Sequence, residues 1–390
     1  MKELIKLRLE RQVALMEQNG IDLLIATTAE NVHYLTGFFS IAKQVIPSMH
    51  LFAVLDKSGS VFLVCSKAEI PSAMEEGLRS EQLHCFGPFQ FAPPPEGDPH
   101  AGVLALNQTD SFTALASVLK KCNATRVVGI DGDGVTHAAY EKLRETVGSG
   151  ARIVDGGKCI RASRLLKFDA EIRSLRKSGQ IVEAAIQEVC EQYVSGQTEK
   201  EAQQIFERYV VSQGARPNFT VISSGPRSAF VDTRTTDRPM VEGDLIRFDV
   251  GCVFEGMHSD IARTVSIGEP AAKMKTFYTA IRNGMQAMLD ACRPGARAGD
   301  IFDVGVSTTR RSGIPHYARN HCGHGIGMQV YEAPGIVSTS DEILAERMTM
   351  CLETPYYEFQ WGGVQVEDSV VVTSEGCEPF TISPVKLIVI

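Results

Sequence analysis

Two aspartates, Asp249 and Asp260, stand in neighbouring apolar runs that have the composition of β-strands. The runs, residues 245–253 and 257–266, are joined by Phe254-Glu255-Gly256. A turn centred on the first two linking residues pairs the aspartates directly, whereas a turn centred on the last two makes them diagonal neighbours. In both cases the two side chains share one face of a hairpin, with Cβ atoms roughly 4.5–8 Å apart. The segment therefore predicts a hairpin that concentrates negative charge.

The neighbours of Asp249 are Ile246, Phe248 and Val250, which predicts that this strand is buried. Two like charges on a buried face are costly unless they share a proton or bind a cation. Paired carboxylates from adjacent strands suit a site that holds two metal ions about 3.5–4 Å apart. The alternative is a pair of solvated aspartates at the surface of the hairpin.

A histidine in a glycine-rich segment is the next candidate ligand. His324 lies in Gly323-His324-Gly325-Ile326-Gly327, where the glycines allow a close approach of the backbone. No strand-to-helix frame with phosphate-loop spacing surrounds this segment. A purely structural histidine is the alternative, and His321 is interpreted as support or as a hydrogen-bond partner of a ligand.

Two glutamates complete the set of candidates. Glu353 ends the mostly apolar run of residues 348–353, and Glu367 lies within the strand-like run of residues 363–373. A long loop at residues 354–362 allows these runs to form adjacent antiparallel strands. Carboxylates within apolar strands are rare without a partner. If all five candidates converge on one site, that site would explain why each of these polar side chains stands where it does in the sequence.

The composition indicates an ordinary globular protein with two domains. The length of 390 residues is roughly two to three times that of a typical domain. A net charge of -8, without a local Lys/Arg cluster, argues against a nucleic-acid partner. No stretch approaches the roughly 18 apolar residues of a membrane span. Residues 1–12 also lack the apolar core of a secretory signal.

The cysteines indicate a reducing compartment. Ten of them are scattered from Cys65 to Cys377 without a CxxC pair. This scatter is typical of reduced thiols rather than of a disulfide framework, so we expect a cytoplasmic protein. Cys252, Cys322 and Cys351 each stand near a candidate ligand in the sequence, and we interpret them as buried packing residues.

Two regions of the chain differ in their pattern. Residues 1–160 alternate helical and strand patterns, which predicts an α/β domain, and residues 161–390 predict a second, β-rich domain. We place the boundary near residues 155–163, where Gly156 and Gly157 interrupt the pattern. Helices are predicted at residues 2–19, 111–121, 137–147, 169–194, 271–292, 300–312 and after a capping box at residues 198–201, and strands at residues 22–26, 52–55, 61–65 and 126–130.

Five short motifs carry the candidate ligands, and together they resemble a known family. They are Phe248-Asp249-Val250-Gly251, Ser259-Asp260-Ile261-Ala262-Arg263-Thr264, Gly323-His324-Gly325-Ile326-Gly327, Glu353-Thr354-Pro355 and Val366-Glu367-Asp368. The chain resembles the pita-bread metallopeptidases, which include prolidase, aminopeptidase P and methionine aminopeptidase, and whose fold creatinase shares. The resemblance covers the whole chain. It implies an α/β creatinase-like N-terminal domain, residues 1–160, and an α+β pita-bread catalytic domain, residues 161–390.

The resemblance also implies two divalent metal ions bound by Asp249, Asp260, His324, Glu353 and Glu367. Asp260 and Glu367 would bridge the ions, Asp249 would complete one shell, and His324 and Glu353 the other. Four carboxylates with one imidazole favour Mn, Fe, Co or Zn over copper. The ions would activate a water for attack on a polarised carbonyl. Glu353 would pass a proton to the leaving nitrogen.

Three positions depart from the family's pattern. Tyr331 stands where these peptidases carry a histidine seven residues after the metal-binding one. Asp232 stands where they carry a second histidine, and Gly335 lies where prolidases tend to have an arginine for the substrate carboxylate. The tyrosine can still donate a hydrogen bond to an oxyanion, and the aspartate is suited to a cationic or amide group. We therefore count Tyr331, Asp232 and Glu353 as candidate catalytic residues.

Three functions are compatible with these residues. The leading hypothesis is hydrolysis of a C–N amide or imide bond in a short peptide or small molecule, with Xaa-Pro peptides first. The second is a non-peptidase enzyme of the same fold, a lyase or a hydrolase of a small nitrogenous metabolite; the third is a non-catalytic binding protein. The resemblance further implies a homodimer in which each N-terminal domain lends a loop to its partner. His50 and residues 86–99 are the candidates for that contact, and a plain surface loop is the alternative.

Overall fold

The computed structural model describes residues 2–92, 95–97, 101–102, 108–122, 127–383 and 385–390. The chain divides into two compact units, Met1–Arg164 and Leu165–Ile390. The predicted boundary after residue 160 lies four residues before this division. No helix in the described part of the chain has the length and apolar character needed to span a membrane.

The N-terminal unit is built on a mixed sheet, for which the described residues supply six strands in the order β4-β3-β2-β1-β5-β6. The strands are Leu23–Ala26 (β1), Phe52–Asp56 (β2), Val61–Ser66 (β3), Leu83–Phe86 (β4), Val127–Ile130 (β5) and Arg152–Asp155 (β6). The helices whose bounds lie within the described residues are Lys2–Gln18 (α1), Ala29–Thr36 (α2), Ile41–Val45 (α3), Ile70–Glu75 (α4), Ser111–Lys121 (α5), His137–Val147 (α6) and Gly156–Leu165 (α7).

The predicted α/β pattern of this unit is confirmed. The helices predicted at residues 111–121 and 137–147 have these bounds, because Asp110 and Thr136 accept hydrogen bonds from their first turns. The strand predicted at residues 126–130 forms from Val127, and Arg126 lies outside the described residues. Phe112 and Leu143 from the two helices join one apolar core with strand residues of the sheet.

The interpretation of Gly156 and Gly157 as an interruption is wrong. Both residues lie in the first turn of α7. A Cβ atom at Gly156 would lie 2.6 Å from the carbonyl carbon of Gly129 in β5. Glycine at this position therefore allows the helix to approach the sheet, rather than ending a structural element.

The C-terminal unit is built on a large, mostly antiparallel sheet, whose main path runs β12-β11-β13-β16-β10-β8-β7. The helices are Asp169–Glu191 (α8), Glu199–Ser212 (α9), Ala272–Ala291 (α10) and Ala298–Arg311 (α11). The strands are Arg216–Ser224 (β7), Leu245–Phe254 (β8), Met257–His258 (β9), Ile261–Ser266 (β10), Gly323–Gly325 (β11), Glu332–Gly335 (β12), Thr349–Glu353 (β13), Tyr356–Glu358 (β14), Gly362–Val364 (β15), Glu367–Val372 (β16), Cys377–Pro379 (β17) and Ile388–Val389 (β18).

Alternation along the strands separates an apolar face from a polar one. Phe248 and Val250 of β8 pack in a core with α8 and α9, whereas Leu352 of β13 packs in a core with α10 and α11. Because successive side chains of a strand point to opposite faces, Asp249 and Glu353 lie on the face away from these contacts. The helices thus cover one side of the sheet and leave the other for the carboxylates.

The predicted hairpin forms with the second of the two registers. Asp249 is paired with Ala262, so Asp249 and Asp260 are diagonal neighbours on one face. Glu255 and Gly256 both have positive φ, at 50° and 78°. Two central residues with positive φ are typical of a type I′ turn, which matches the twist of two hairpin strands. The turn conformation therefore excludes the direct pairing of the two aspartates.

The remaining predicted helices are present with small differences at their ends. The helix predicted at residues 169–194 ends at Glu191, and the capping box of Thr198 and Glu201 opens α9. The prediction of a plain loop at residues 354–362 is wrong, because β14 lies within it and pairs with β15. The ring of Tyr356 contacts the ring of Phe277 in α10, which anchors this short hairpin.

Candidate metal centre

The register of the sheet places all five candidate ligands on one face. Glu353 is paired with Glu367, and Ala262 is paired with both Glu367 and Asp249. Asp260 lies two residues before Ala262, on the same side. His324 is paired with Cys351, which lies two residues before Glu353. Four strands and the residue that precedes β10 therefore direct these side chains to one region.

The closest group within this region consists of Asp260, His324, Cys351 and Glu367, whose ligand atoms all lie within 4.8 Å of one another. The backbone packs tightly here, since a Cβ atom at Gly323 would lie 2.1 Å from the carbonyl oxygen of Cys351. Glycine before the histidine is therefore required for β11 to pair with β13 at this point.

The tautomer of His324 suits a ligand. Its Nδ1 atom lies 3.0 Å from the carbonyl oxygen of Gly325, and a carbonyl can only accept, so Nδ1 carries the proton. The unprotonated Nε2 atom then lies 3.6 Å from Oδ2 of Asp260. Two atoms with lone pairs facing each other at this distance match a site for a cation between them. Burial also lowers the pKa of His324 to about 4, which keeps the imidazole neutral.

The pKa values of the four carboxylates also favour a cation at this site. Burial, followed by the neighbouring carboxylates, raises the pKa values of Asp260 and Glu367 well above their usual range. Burial likewise raises the pKa of Asp249, and that of Glu353 to about 7. Oδ1 of Asp260 is buried and has no hydrogen-bond partner among the described residues. An orphaned carboxylate oxygen of this kind fits a dication, which would compensate the buried charge.

A buried arginine, Arg247, holds the candidate ligands in place through hydrogen bonds. All five N–H groups of Arg247 donate: Nη1 to Oδ2 of Asp249 and Oε1 of Gln365, and Nε and Nη2 to the carbonyl oxygens of residues 228, 230 and 231, all at 2.6–2.9 Å. The amide of Gln365 donates in turn to Oε2 of Glu367 at 3.2 Å and to Oε2 of Glu353 at 3.5 Å. One network therefore orients three of the four carboxylates.

Glu353 has two further partners. Nη2 of Arg319 donates to its Oε1 atom at 3.3 Å, and Nδ1 of His321 lies 3.0 Å from the same atom. His321, which we interpreted as support or as a partner of a ligand, is thus a neighbour of Glu353. The arginine partly offsets the effect of burial on the pKa of Glu353.

A cavity of about 440 Å³ opens onto four of the five candidates, all except His324. Tyr331 lines this cavity, and its ring stacks on that of His324 with 3.8 Å between centroids. Tyr331 as a residue is 66% exposed. Asp232 also lines the cavity, is exposed, and contributes to the raised pKa of Asp249. The two residues that stand in place of the family's histidines, Tyr331 and Asp232, therefore line the same cavity as the carboxylates.

Sequence reasoning missed several residues of this site. Arg247, Gln365, Arg319 and Tyr357 were not singled out, although Arg247 and Gln365 stand two residues before a candidate ligand, on the same strand face. Cys351, interpreted as a packing residue, is buried, and its thiol also donates to Oε1 of Glu367 at 3.2 Å. Because every second side chain of a strand lies on the same face, the position of Cys351 two residues before Glu353 was the signal that it belongs to the site.

Comparisons with known proteins agree with this architecture. The family model of metallopeptidase family M24 matches residues 173–374, slightly more than half of the chain, and that of the creatinase/prolidase N-terminal domain matches residues 8–166. A relative named Xaa-Pro dipeptidase, from Lactobacillus delbrueckii subsp. lactis, is 28% identical over 370 residues, which cover 94% of each chain.

Solved structures share the fold across the whole chain. The Xaa-Pro dipeptidase from Bacillus anthracis superposes with a TM-score of 0.83 at 24% identity, covering 99% of this chain and 100% of that one. The N-terminal domain of FACT complex subunit SPT16 from Cicer arietinum (chickpea) has the same fold, with a TM-score of 0.71 at 15% identity, covering 97% of this chain and 96% of that one. At these identities the likeness shows the fold alone, and the predicted fold class is confirmed. On the match of the catalytic region, the chain belongs to metallopeptidase family M24.

Proposed function

We propose that this metallopeptidase-family chain hydrolyses C–N amide or imide bonds in short peptides, with Xaa-Pro peptides as the first substrates to test. The single observation that carries the proposal is the convergence of Asp249, Asp260, His324, Glu353 and Glu367 on one sheet face beside a cavity. The relatives named Xaa-Pro dipeptidase support the choice of substrate.

The five residues would hold two divalent ions. Asp249, Asp260, His324, Glu353 and Glu367 would supply the ligand atoms. An oxygen-rich set with one imidazole favours Mn, Co, Zn or Fe. When bound, such ions polarise a carbonyl and lower the pKa of water. Arg247 and Gln365 would hold the carboxylates in place for these ions.

The remaining steps are assigned to groups of the protein. Glu353, a buried carboxylate that lines the cavity, would accept a proton from the attacking water and pass it to the leaving nitrogen. The hydroxyl of Tyr331, which lines the cavity, would donate a hydrogen bond to the developing oxyanion. Asp232, at the cavity and exposed, would accept a hydrogen bond from an ammonium or amide group of the substrate.

A second candidate function is a non-peptidase reaction on the same fold, either a lyase or a hydrolase of a small nitrogenous metabolite. The observation that favours it is the presence of Asp232 and Tyr331, rather than two histidines, in the cavity. A non-catalytic binding protein is the third reading, and the complete set of candidate ligands counts against it.

A panel of peptides separates these functions. The protein is loaded in turn with Mn²⁺, Co²⁺ or Zn²⁺ and incubated with Xaa-Pro dipeptides, longer Xaa-Pro peptides and matched Xaa-Ala peptides. We expect cleavage of at least one Xaa-Pro substrate, lost when the metal is removed by chelation and restored when it is added back. Tight metal binding without cleavage of any peptide would instead support the second candidate.

We further propose a cytoplasmic homodimer, which the resemblance implies and the scattered thiols favour. Analytical ultracentrifugation of the full chain tests the dimer. The predicted contact segment, residues 86–99, lies partly outside the described residues. His50 is partly buried and has Ser111 as a hydrogen-bond partner through Nδ1 at 2.7 Å. His50→Ala in the full chain would weaken the dimer if that residue lies at the contact.

A further inference from the structure

Two cysteines that are distant in the sequence meet at the end of α10. Cys292 directly follows the helix, and its backbone N–H donates to the carbonyl oxygen of Leu289 at 3.2 Å. Cys377 begins β17, and its thiol donates to the same carbonyl oxygen at 3.4 Å. The two thiols are also hydrogen-bonded to each other, and both are free. Their sulfur atoms are therefore neighbours before any bond between them forms.

The two thiols differ in accessibility and in acidity. Cys292 is completely buried, whereas Cys377 is partly exposed. The hydrogen bond between them lowers the pKa of Cys377 and raises that of Cys292. Burial raises the pKa values of the other eight cysteines, all of which lie within the described residues. An oxidant should therefore react first with Cys377, while Cys292 stands beside it as the second thiol.

The pair lies where a covalent bond would fasten a helix to the sheet that carries the candidate metal ligands. Cys377 is paired with Val372 of β16, the strand that begins at Glu367. Met288 of α10 shares an apolar core with Val372. A bond between the two cysteines would close a loop of about 85 residues, between positions 292 and 377. A long closed loop restricts the unfolded chain and so favours the folded one.

From this arrangement we infer that Cys292 and Cys377 form a reversible disulfide when the protein meets a peroxide, so that the pair is a site of oxidative modification. In a reducing compartment such a bond is transient and is reopened by dithiol reductants. The inference concerns the rear of the sheet and does not depend on the proposed peptidase function.

The reaction proceeds in two balanced steps. The thiolate of Cys377 attacks one oxygen of hydrogen peroxide, the O–O bond breaks, and hydroxide leaves a sulfenic acid on Cys377. The sulfur of Cys292 then attacks the sulfur of Cys377, the S–O bond breaks, and the departing hydroxide takes the proton of Cys292 to form water. In sum, two thiols lose two electrons and two protons, and one peroxide is reduced to two waters.

Peptide mapping of the wild type tests the inference without any substitution. The full chain is loaded with Zn²⁺, which has no redox chemistry of its own, and is treated with hydrogen peroxide. It is then digested under non-reducing conditions with trypsin and Glu-C, which separate Cys351 from Cys377 because Glu353 and Glu367 stand between them. We expect linked peptides that contain Cys292 and Cys377 and lack two hydrogen atoms, and a Tm raised by about 5–10 °C until dithiothreitol is added.

Variants assign the roles of the two thiols. Cys292→Ser should leave the sulfenic acid of Cys377 without a partner, so that dimedone labels it, and Cys377→Ser should leave Cys292 unlabelled. In the untreated wild type, iodoacetamide should modify Cys377 at least about 10-fold faster than Cys190. Cys190, on α8, is also partly buried, and burial raises its pKa to about 12.

Cys190→Ser is the matched control, and it should leave both the linked peptides and the rise in Tm unchanged. Absence of the Cys292–Cys377 link after peroxide treatment, or linkage of either cysteine mainly to another thiol, would overturn the inference. Dimedone labelling of Cys190 in preference to Cys377 in the Cys292→Ser variant would overturn it as well.

Discussion

Arg247 donates a hydrogen bond from Nη1 to Oδ2 of Asp249 at 2.9 Å, in the same strand and on the same face. The arginine side chain is fully buried, whereas that of the aspartate is 19% exposed. The two residues form the base of a network that reaches Glu353 and Glu367 through Gln365. The stability of this network comes from the hydrogen bonds of all five N–H groups of Arg247, rather than from its single ion pair with Asp249.

The first prediction concerns this arginine. Arg247→Met should lower the free energy of unfolding by about 3–5 kcal/mol, because Asp249 and three backbone carbonyls lose a buried partner. Urea unfolding of the metal-free protein measures the change. Arg311→Met, at the surface, should change it by less than about 0.5 kcal/mol. Equal effects of the two substitutions would show that the network does not support the fold.

The second prediction concerns the orphaned carboxylate. Asp260→Asn should reduce metal content and lower any activity by more than about 100-fold, because it removes a charged oxygen ligand. The same substitution should raise the Tm of the metal-free protein, since a buried charge without a partner is removed. Elemental analysis and thermal unfolding measure the two effects. Asp303→Asn on the exposed side of α11 is the control, and a variant of Asp260 that retains both ions would refute the assignment.

The third prediction concerns pH. Glu353 has a pKa of about 7 in the metal-free protein, so below that pH an incoming ion must displace its proton. Metal affinity should therefore rise between about pH 5 and pH 7, with protons released on binding. His324, whose pKa is lowered to about 4, is already neutral over this range and adds no dependence. Calorimetry in buffers of different ionisation enthalpy counts the protons.

A variant of Glu353 provides the comparison for that experiment. Glu353→Gln has no proton to lose at this position, so it should release fewer protons and show a weaker dependence on pH. An unchanged proton count in this variant would assign the titration to other carboxylates of the site.

The fourth prediction concerns Tyr331. Tyr331→Phe keeps the ring that stacks on His324 but removes the hydroxyl. If the hydroxyl stabilises an oxyanion, kcat should fall on the order of 100-fold at unchanged metal content. Steady-state kinetics on the substrate found in the peptide panel measures this. Tyr209→Phe on α9 is the matched control, and a wild-type kcat in Tyr331→Phe would exclude the role.

The candidate ligands could be predicted because each is a local anomaly. A carboxylate at the end of an apolar strand, as at Glu353, or a histidine among glycines, as at His324, contrasts with its own neighbours. Such contrasts are visible without knowledge of the fold. The pairing of β13 with β16 also followed from local pattern, since both runs are apolar and the loop at residues 354–362 is long enough for them to run antiparallel.

The supporting residues could not be predicted in the same way. The partners of Arg247 come from its own strand, from residues 228–231 and from Gln365, and only the folded sheet brings these segments together. The register of the hairpin was also open, because a non-glycine residue such as Glu255 rarely adopts positive φ. Its carboxylate accepts a hydrogen bond from Ser174 at 2.6 Å, a contact that the sequence does not reveal.

The tight turn at Glu255 and Gly256 sets the face of the sheet to which Asp260 points. The number of residues in this connection therefore decides whether both aspartates can reach the metal centre. A single inserted residue that is absorbed by shifting one strand would turn Asp260 towards the helices, while Asp249 stays on the face of the cavity. An insertion of two residues would restore the facing of both side chains. We therefore expect the connection in related chains to differ in length by an even number of residues, although neither turn residue is a candidate ligand.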